Sequence, residues 1–213
     1  MQVNKRAGFT LVEMTIAVSI LGVALTSAAM VSKTGGDAHQ TNAAVQSLEN
    51  SLSQSISRIA GELALSGMDH LDPDPIEGLP YQDLDYQVVV GYTDTAPDLS
   101  VTRQIVAEAE AGDANDGIDN DGDGLIDERT LLMVRDVGLA TERRVVLCNG
   151  VLEYLEGETF DGADENGNGL EDEPGFHLER NGDVITIRLS VGKQGPGGVT
   201  LVRTAELDVR LRN

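Results

Sequence analysis

A single cysteine, Cys148, excludes any disulfide within this 213-residue chain. Its neighbours Val145, Val146 and Leu147 mark it as a small buried hydrophobe rather than a reactive thiol. Basic residues are scarce: 15 Lys and Arg face 36 Asp and Glu, a formal net charge of −21. A surface of that sign repels nucleic acid and anionic lipid, both of which need a basic face, and it suits cations. The three histidines, His39, His70 and His177, are scattered, and no Gly-x-Ser-x-Gly elbow, phosphate-binding loop or zinc spacing occurs. Enzyme chemistry therefore finds no footing, and His70 reads as an exposed loop residue. Proline is missing from Phe9 to Met68, so nothing there forbids one continuous helix.

What is present begins with a short basic leader holding Lys5 and Arg6. Gly8, Phe9 and an apolar run reaching Val31 follow, with Glu13 set early in it. A carboxylate in a membrane-length segment costs about 2 to 3 kcal/mol on insertion and needs a partner. A secretory signal peptide, with small residues at Thr26-Ser27-Ala28-Ala29, or a plain anchor would gain nothing from it. The pattern Gly8-Phe9-Thr10-Leu11-Val12-Glu13 resembles the processing site of type IV pilins and type II secretion pseudopilins. The resemblance covers about the first 30 residues. It implies cleavage by a prepilin peptidase between Gly8 and Phe9 and methylation of the new Phe9 amine. It also implies pairing of Glu13 with a neighbouring subunit's N-terminal amine during assembly.

Beyond Gly35-Gly36, apolar residues return at Val45, Leu48, Leu52, Ile56, Ile59 and Leu63, in steps of three or four that make one helical face. One helix from about Phe9 to Leu65 is expected, its second half lying on a globular domain; a dimeric coiled coil is the competing use of that stripe. Pro73, Pro75 and Pro80 make Met68–Pro80 a loop. Strands are expected at Tyr86–Tyr92, Val101–Ala107, Leu131–Arg135, Arg143–Cys148, Val151–Leu155, Val184–Val191 and Val199–Leu211. Asn149-Gly150 reads as a hairpin turn between two of them, and Gly195-Pro196-Gly197-Gly198 as a turn or flexible tip between the last two. A long helix followed by strands gives an α+β class with an antiparallel sheet. The two C-terminal hairpins and the closing Leu211-Arg212-Asn213 resemble J-type minor pseudopilins and W-type minor pilins.

The chain also repeats itself. Asp116-Gly-Ile-Asp119-Asn-Asp121-Gly-Asp123-Gly124-Leu-Ile-Asp127-Glu128 returns as Asp161-Gly-Ala-Asp164-Glu-Asn166-Gly-Asn168-Gly169-Leu-Glu171-Asp172-Glu173. Oxygen ligands at alternate positions followed by a turn-making Gly suit Ca²⁺. The spacing starts like an EF-hand, but Thr130 stands where that loop needs its closing Glu. Both segments resemble thrombospondin type 3 and dockerin-like calcium loops. By that resemblance Asp119, Asp121, Asp123, the Leu125 carbonyl and Asp127 are ligands in the first copy, and Asp164, Asn166, Asn168 and Asp172 in the second. The bland alternative is a pair of solvated acidic loops. Without metal, self-repulsion among the carboxylates between Asp113 and Glu128 should leave the first loop disordered.

The sequence thus divides into a leader (1–8), a membrane or filament-core helix (9–31), its amphipathic continuation (32–66) and an extracytoplasmic β-rich domain (67–213) with acidic loops at 113–128 and 161–173. The expected role is a minor pilin or pseudopilin of a type IV pilus or type II secretion pseudopilus, stabilised by calcium. Its expected partners are prepilin peptidase, other pilin or pseudopilin subunits and the inner membrane, which it spans once, but not nucleic acid. The alternative is a membrane-anchored or secreted calcium-dependent adhesin that does not polymerise.

Overall fold

The computed structural model describes residues 10–94, 96–167 and 169–211. It divides into a unit ending at Asn42 and one beginning at Ala43. Helix α1 runs over Leu11–Leu63, within two residues of the expected bounds at each end. Up to Gln40 its residues are exposed all round, and an apolar window of mean hydropathy 2.0 makes it long and apolar enough to cross a membrane. From Ala43 onward it becomes amphipathic. Leu48, Leu52, Ile56, Ile59 and Leu63 are all buried, since steps of three and four residues return a side chain to the same face.

The strands are β1 (Ser66–Asp72), β2 (Pro80–Tyr81), β3 (Asp83–Tyr92), β4 (Pro97–Leu99), β5 (Arg103–Ala109), β6 (Arg129–Arg135), β7 (Arg143–Val151), β8 (Phe176–Asn181), β9 (Val184–Gln194) and β10 (Thr200–Arg210). They form one sheet in the order β1-β3-β5-β6-β7-β9-β8-β2, with β4 on β3 and β10 on β9. Pairing between these strands is antiparallel throughout. The α+β architecture is the expected one. The buried half of α1 shares its core with Ile105, Leu131, Ile185, Ile187 and Leu189, each fully enclosed. Polar contacts add register: Ser55 donates to the Leu147 carbonyl at 3.0 Å, and Glu62 receives Arg103 of β5 and Arg135 of β6.

Three local expectations are corrected. Asn149-Gly150 is not a hairpin turn but lies inside β7. Cys148 and Val151 pair with Leu131 and Arg129, so two residues oppose one and the strand bulges. Met68–Pro80 is not all loop: β1 runs to Asp72 beside β3 and carries the half-buried His70. No strand spans Val151–Leu155; β7 stops at Val151, and Tyr154 makes only an isolated bridge to Pro174.

Candidate functional site: the helix start and the paired acidic loops

Gly8 and Phe9, the expected cleavage residues, lie outside the described residues. Glu13 is described, in the first turn of α1. Its carboxylate accepts from the backbone amide and the hydroxyl of Thr10, each at 2.8 Å, while the Glu13 amide donates back to the Thr10 hydroxyl at 3.2 Å. This is a capping box, satisfying donors that the first helical turn leaves orphaned. The spacing Thr10-x-x-Glu13 announces it in the sequence, where the apolar context drew attention to the charge instead.

The two acidic segments adopt one conformation. In the first, Asp119 accepts from the amides of Gly122 (2.6 Å) and Gly124 (3.0 Å). In the second, Asp164 accepts from Gly167 (2.6 Å) and Gly169 (2.8 Å). Asp127 accepts from the amides of Asp116 and Gly117, and Asp172 from those of Asp161 and Gly162. Asp127 and Asp172 sit at φ 53° and 52°, a left-handed geometry that Asp tolerates better than bulky residues. Backbone bonds close both bases at equivalent positions, Glu110 to Glu128 at 3.1 Å and Leu155 to Glu173 at 2.9 Å. The duplication therefore reaches back to Glu110 and Leu155.

Asp119, Asp121 and Asp123 bring ligand oxygens within 4.8 Å of one another. Asp127 stands outside that group, clasping the loop through the Asp116 and Gly117 amides. In the second copy Asp164 and Asp172 keep the equivalent positions and Asn166 donates its amide to Glu158 at 3.0 Å; Asn168 lies outside the described residues. Leu125 is buried. A methyl added to Gly192 would come within 2.9 Å of its side chain, and one added to Gly150 within 3.3 Å, so the first loop is pinned where two glycines leave room.

Sequence reasoning overlooked four buried acids: Asp113, Glu128, Glu158 and Glu173 are 4%, 1%, 7% and 0% exposed. Asp113 and Glu158 occupy equivalent places, as do Glu128 and Glu173, so extending the repeat by three residues would have found the pairs. Burial, with the charges of Asp123, Asp113 and Asp121 behind it, pushes the Glu128 carboxyl up to about 7. Burial likewise raises Glu158, with Glu173 and Glu165 adding to it. Cys148 is buried, and burial pushes its thiol up to about 11, the inert state its neighbours suggested.

Residues 3–29 match the prokaryotic N-terminal methylation motif. The match supports a type IV pilin-like precursor of the kind prepilin peptidase processes. Together with the apolar start of α1, it is consistent with a single-pass, membrane-anchored pilin-like chain. No curated protein and no solved structure matches the chain.

Proposed function

We propose that this chain is a minor pilin or pseudopilin, a structural subunit of a type IV pilus or a type II secretion pseudopilus. The observation that carries it is the methylation motif at residues 3–29, ending inside a helix whose first turn holds Glu13. Prepilin peptidase cuts after Gly8, which leaves Phe9 as the new terminus and Glu13 four residues inside it. The fully exposed apolar surface of α1 up to Val31 has two suitable surroundings, lipid before assembly and neighbouring helices after it. Glu13 then supplies the charge that draws in the next subunit's amine. The C-terminal domain faces outward, because a basic leader stays in the cytoplasm.

Calcium belongs to this proposal. Asp119, Asp121 and Asp123 converge as hard oxygen donors, with the Leu125 carbonyl and Asp127 as further ligands; Asp164, Asn166, Asn168 and Asp172 are their counterparts. What the ion supplies is charge neutralisation among crowded carboxylates, and hence rigid loops on the outer surface. The alternative of a non-polymerising adhesin differs in the mature N-terminus.

Gly8→Val tests the assignment. The peptidase reads the small residue before the cut, so the variant is expected to remain as uncleaved precursor in the membrane, about 1 kDa heavier on an immunoblot than the processed chain. Normal processing of the variant would count against a pilin-type precursor.

A further inference from the structure

Besides the exposed cluster of Asp119, Asp121 and Asp123, the first acidic loop holds a second set of carboxylates in a different setting. A cavity of about 120 Å³ is lined by Ala109, Asp113, Asn115, Asp127, Glu128 and Arg129. Glu128 is 1% exposed, Asp113 4%. Among the described residues neither oxygen of Glu128 has a hydrogen-bond partner, nor has Oδ2 of Asp113; the other Asp113 oxygen accepts from the Asn120 backbone amide at 2.9 Å. No ion pair among the described residues involves either acid. Arg129, the cation on the cavity wall, donates instead to Gln82 at 2.8 Å.

Buried polar atoms are almost always paired, and a buried carboxylate without a partner is among the costliest exceptions. Glu128 is such a group, and the unpaired Oδ2 of Asp113 lines the same cavity; together they call for a positive charge between them. The donors are all oxygen, which suits a hard divalent cation and not a soft one. The cavity is several-fold larger than the roughly 10–15 Å³ that a single bound water occupies by the same measure, so it admits an ion that keeps some of its waters. We propose that Asp113 and Glu128 bind a second calcium ion in this cavity, separate from the one assigned to Asp119, Asp121 and Asp123. Asp127 and Asn115 complete the wall. The inference deepens the calcium reading above and rests on it for the identity of the ion. The second loop carries the equivalent buried acids Glu158 and Glu173.

The test uses the full chain in detergent, with calcium alone as probe and equilibrium dialysis to count bound ions. Glu128→Gln and Asp113→Asn are each expected to lower the count by one per chain. Asp121→Asn with Asp123→Asn is expected to remove a different ion, so that combining the two sets removes two. In chelator, Glu128→Gln is expected to melt no lower than wild type, since a neutral amide replaces a buried carboxylate; in millimolar calcium it is expected to gain less. If wild type binds calcium and loses an ion in the Asp121/Asp123 variant, but Glu128→Gln and Asp113→Asn keep the full count, the cavity holds no ion; the inference falls and the loop reading stands. If wild type binds none, both fall. Should Glu128→Gln lose its circular dichroism signal in chelator, Asp113→Asn decides.

Discussion

His177 sits on β8 with its ring wholly enclosed. Its Nδ1 lies 3.0 Å from the Pro174 carbonyl, and its Nε2 has no partner among the described residues. Burial holds its pKa below the ordinary 6.5, so the folded chain keeps the imidazole neutral while the unfolded chain takes up a proton first. Stability from this group is therefore full above about pH 7 and is lost as pH falls through the unfolded value near 6.5. Melting temperatures measured from pH 7.5 to 5.5 are expected to fall more steeply in wild type than in His177→Gln. Parallel curves would show that the ring adjusts without cost. Gly150 makes a different point about single residues. Its φ of 67° is the conformation that Asn-Gly advertises, but the chain uses it to bulge β7 rather than to reverse it. A side chain there would meet the Gly192 carbonyl at 2.7 Å. A local preference for positive φ names the backbone state; only the neighbouring strands decide what that state is used for.

Among the elements, α1 was the most legible, because apolar spacing over many turns leaves little choice of period. The central strands were legible for a related reason: β6 holds the apolar run Leu131-Leu132-Met133-Val134, and β9 sets Ile185, Ile187, Leu189 and Val191 at alternate positions. By contrast β1 hides behind a proline cluster and carries Asp69, His70 and Asp72, while β8 reads His-Leu-Glu-Arg-Asn after its opening Phe176. Their polar residues are accommodated through tertiary contacts, such as Glu179 with Arg188 at 2.9 Å, which no local pattern reports. At the acidic loops the alternation of oxygen donors was plain in the sequence, whereas burial of Asp113 and Glu128 needs the fold around it. The start of α1 carries the next prediction. Glu13 both closes a capping box and, under the proposal, attracts a neighbour's amine. Glu13→Gln separates the two roles, since Gln serves equally well at that capping position but carries no charge. The Gln variant is expected to be processed and inserted normally yet fail to enter filaments or support secretion, as read from a sheared-filament or secreted fraction. Recruitment at the wild-type level would leave Glu13 a helix cap and nothing more.

At the scale of the molecule, a net charge of −21 is concentrated where two loops repeat one geometry, so calcium should govern global stability. An ion bound with a dissociation constant of roughly 10⁻⁴ M, typical of extracellular modules, adds about 1.4 kcal/mol at millimolar concentration. For a domain of this size that is roughly 3–6 °C per ion. Scanning calorimetry of the full chain in detergent is expected to show that rise on adding calcium and its reversal with chelator; identical curves would reduce both repeats to solvated loops. The loops also leave and rejoin the sheet between residues that are already paired, Ala109 with Arg129 and Tyr154 with Pro174. Their closure spends only the entropy of a short excursion. Under the calcium proposal the strands can therefore condense without the ion, and an ion that binds after the rate-limiting step would add its contacts late. Contacts made that late lengthen the lifetime of the native state without hastening its formation. Calcium bound as proposed would be a latch set after folding, and its removal would shorten how long the domain endures rather than decide whether it can form.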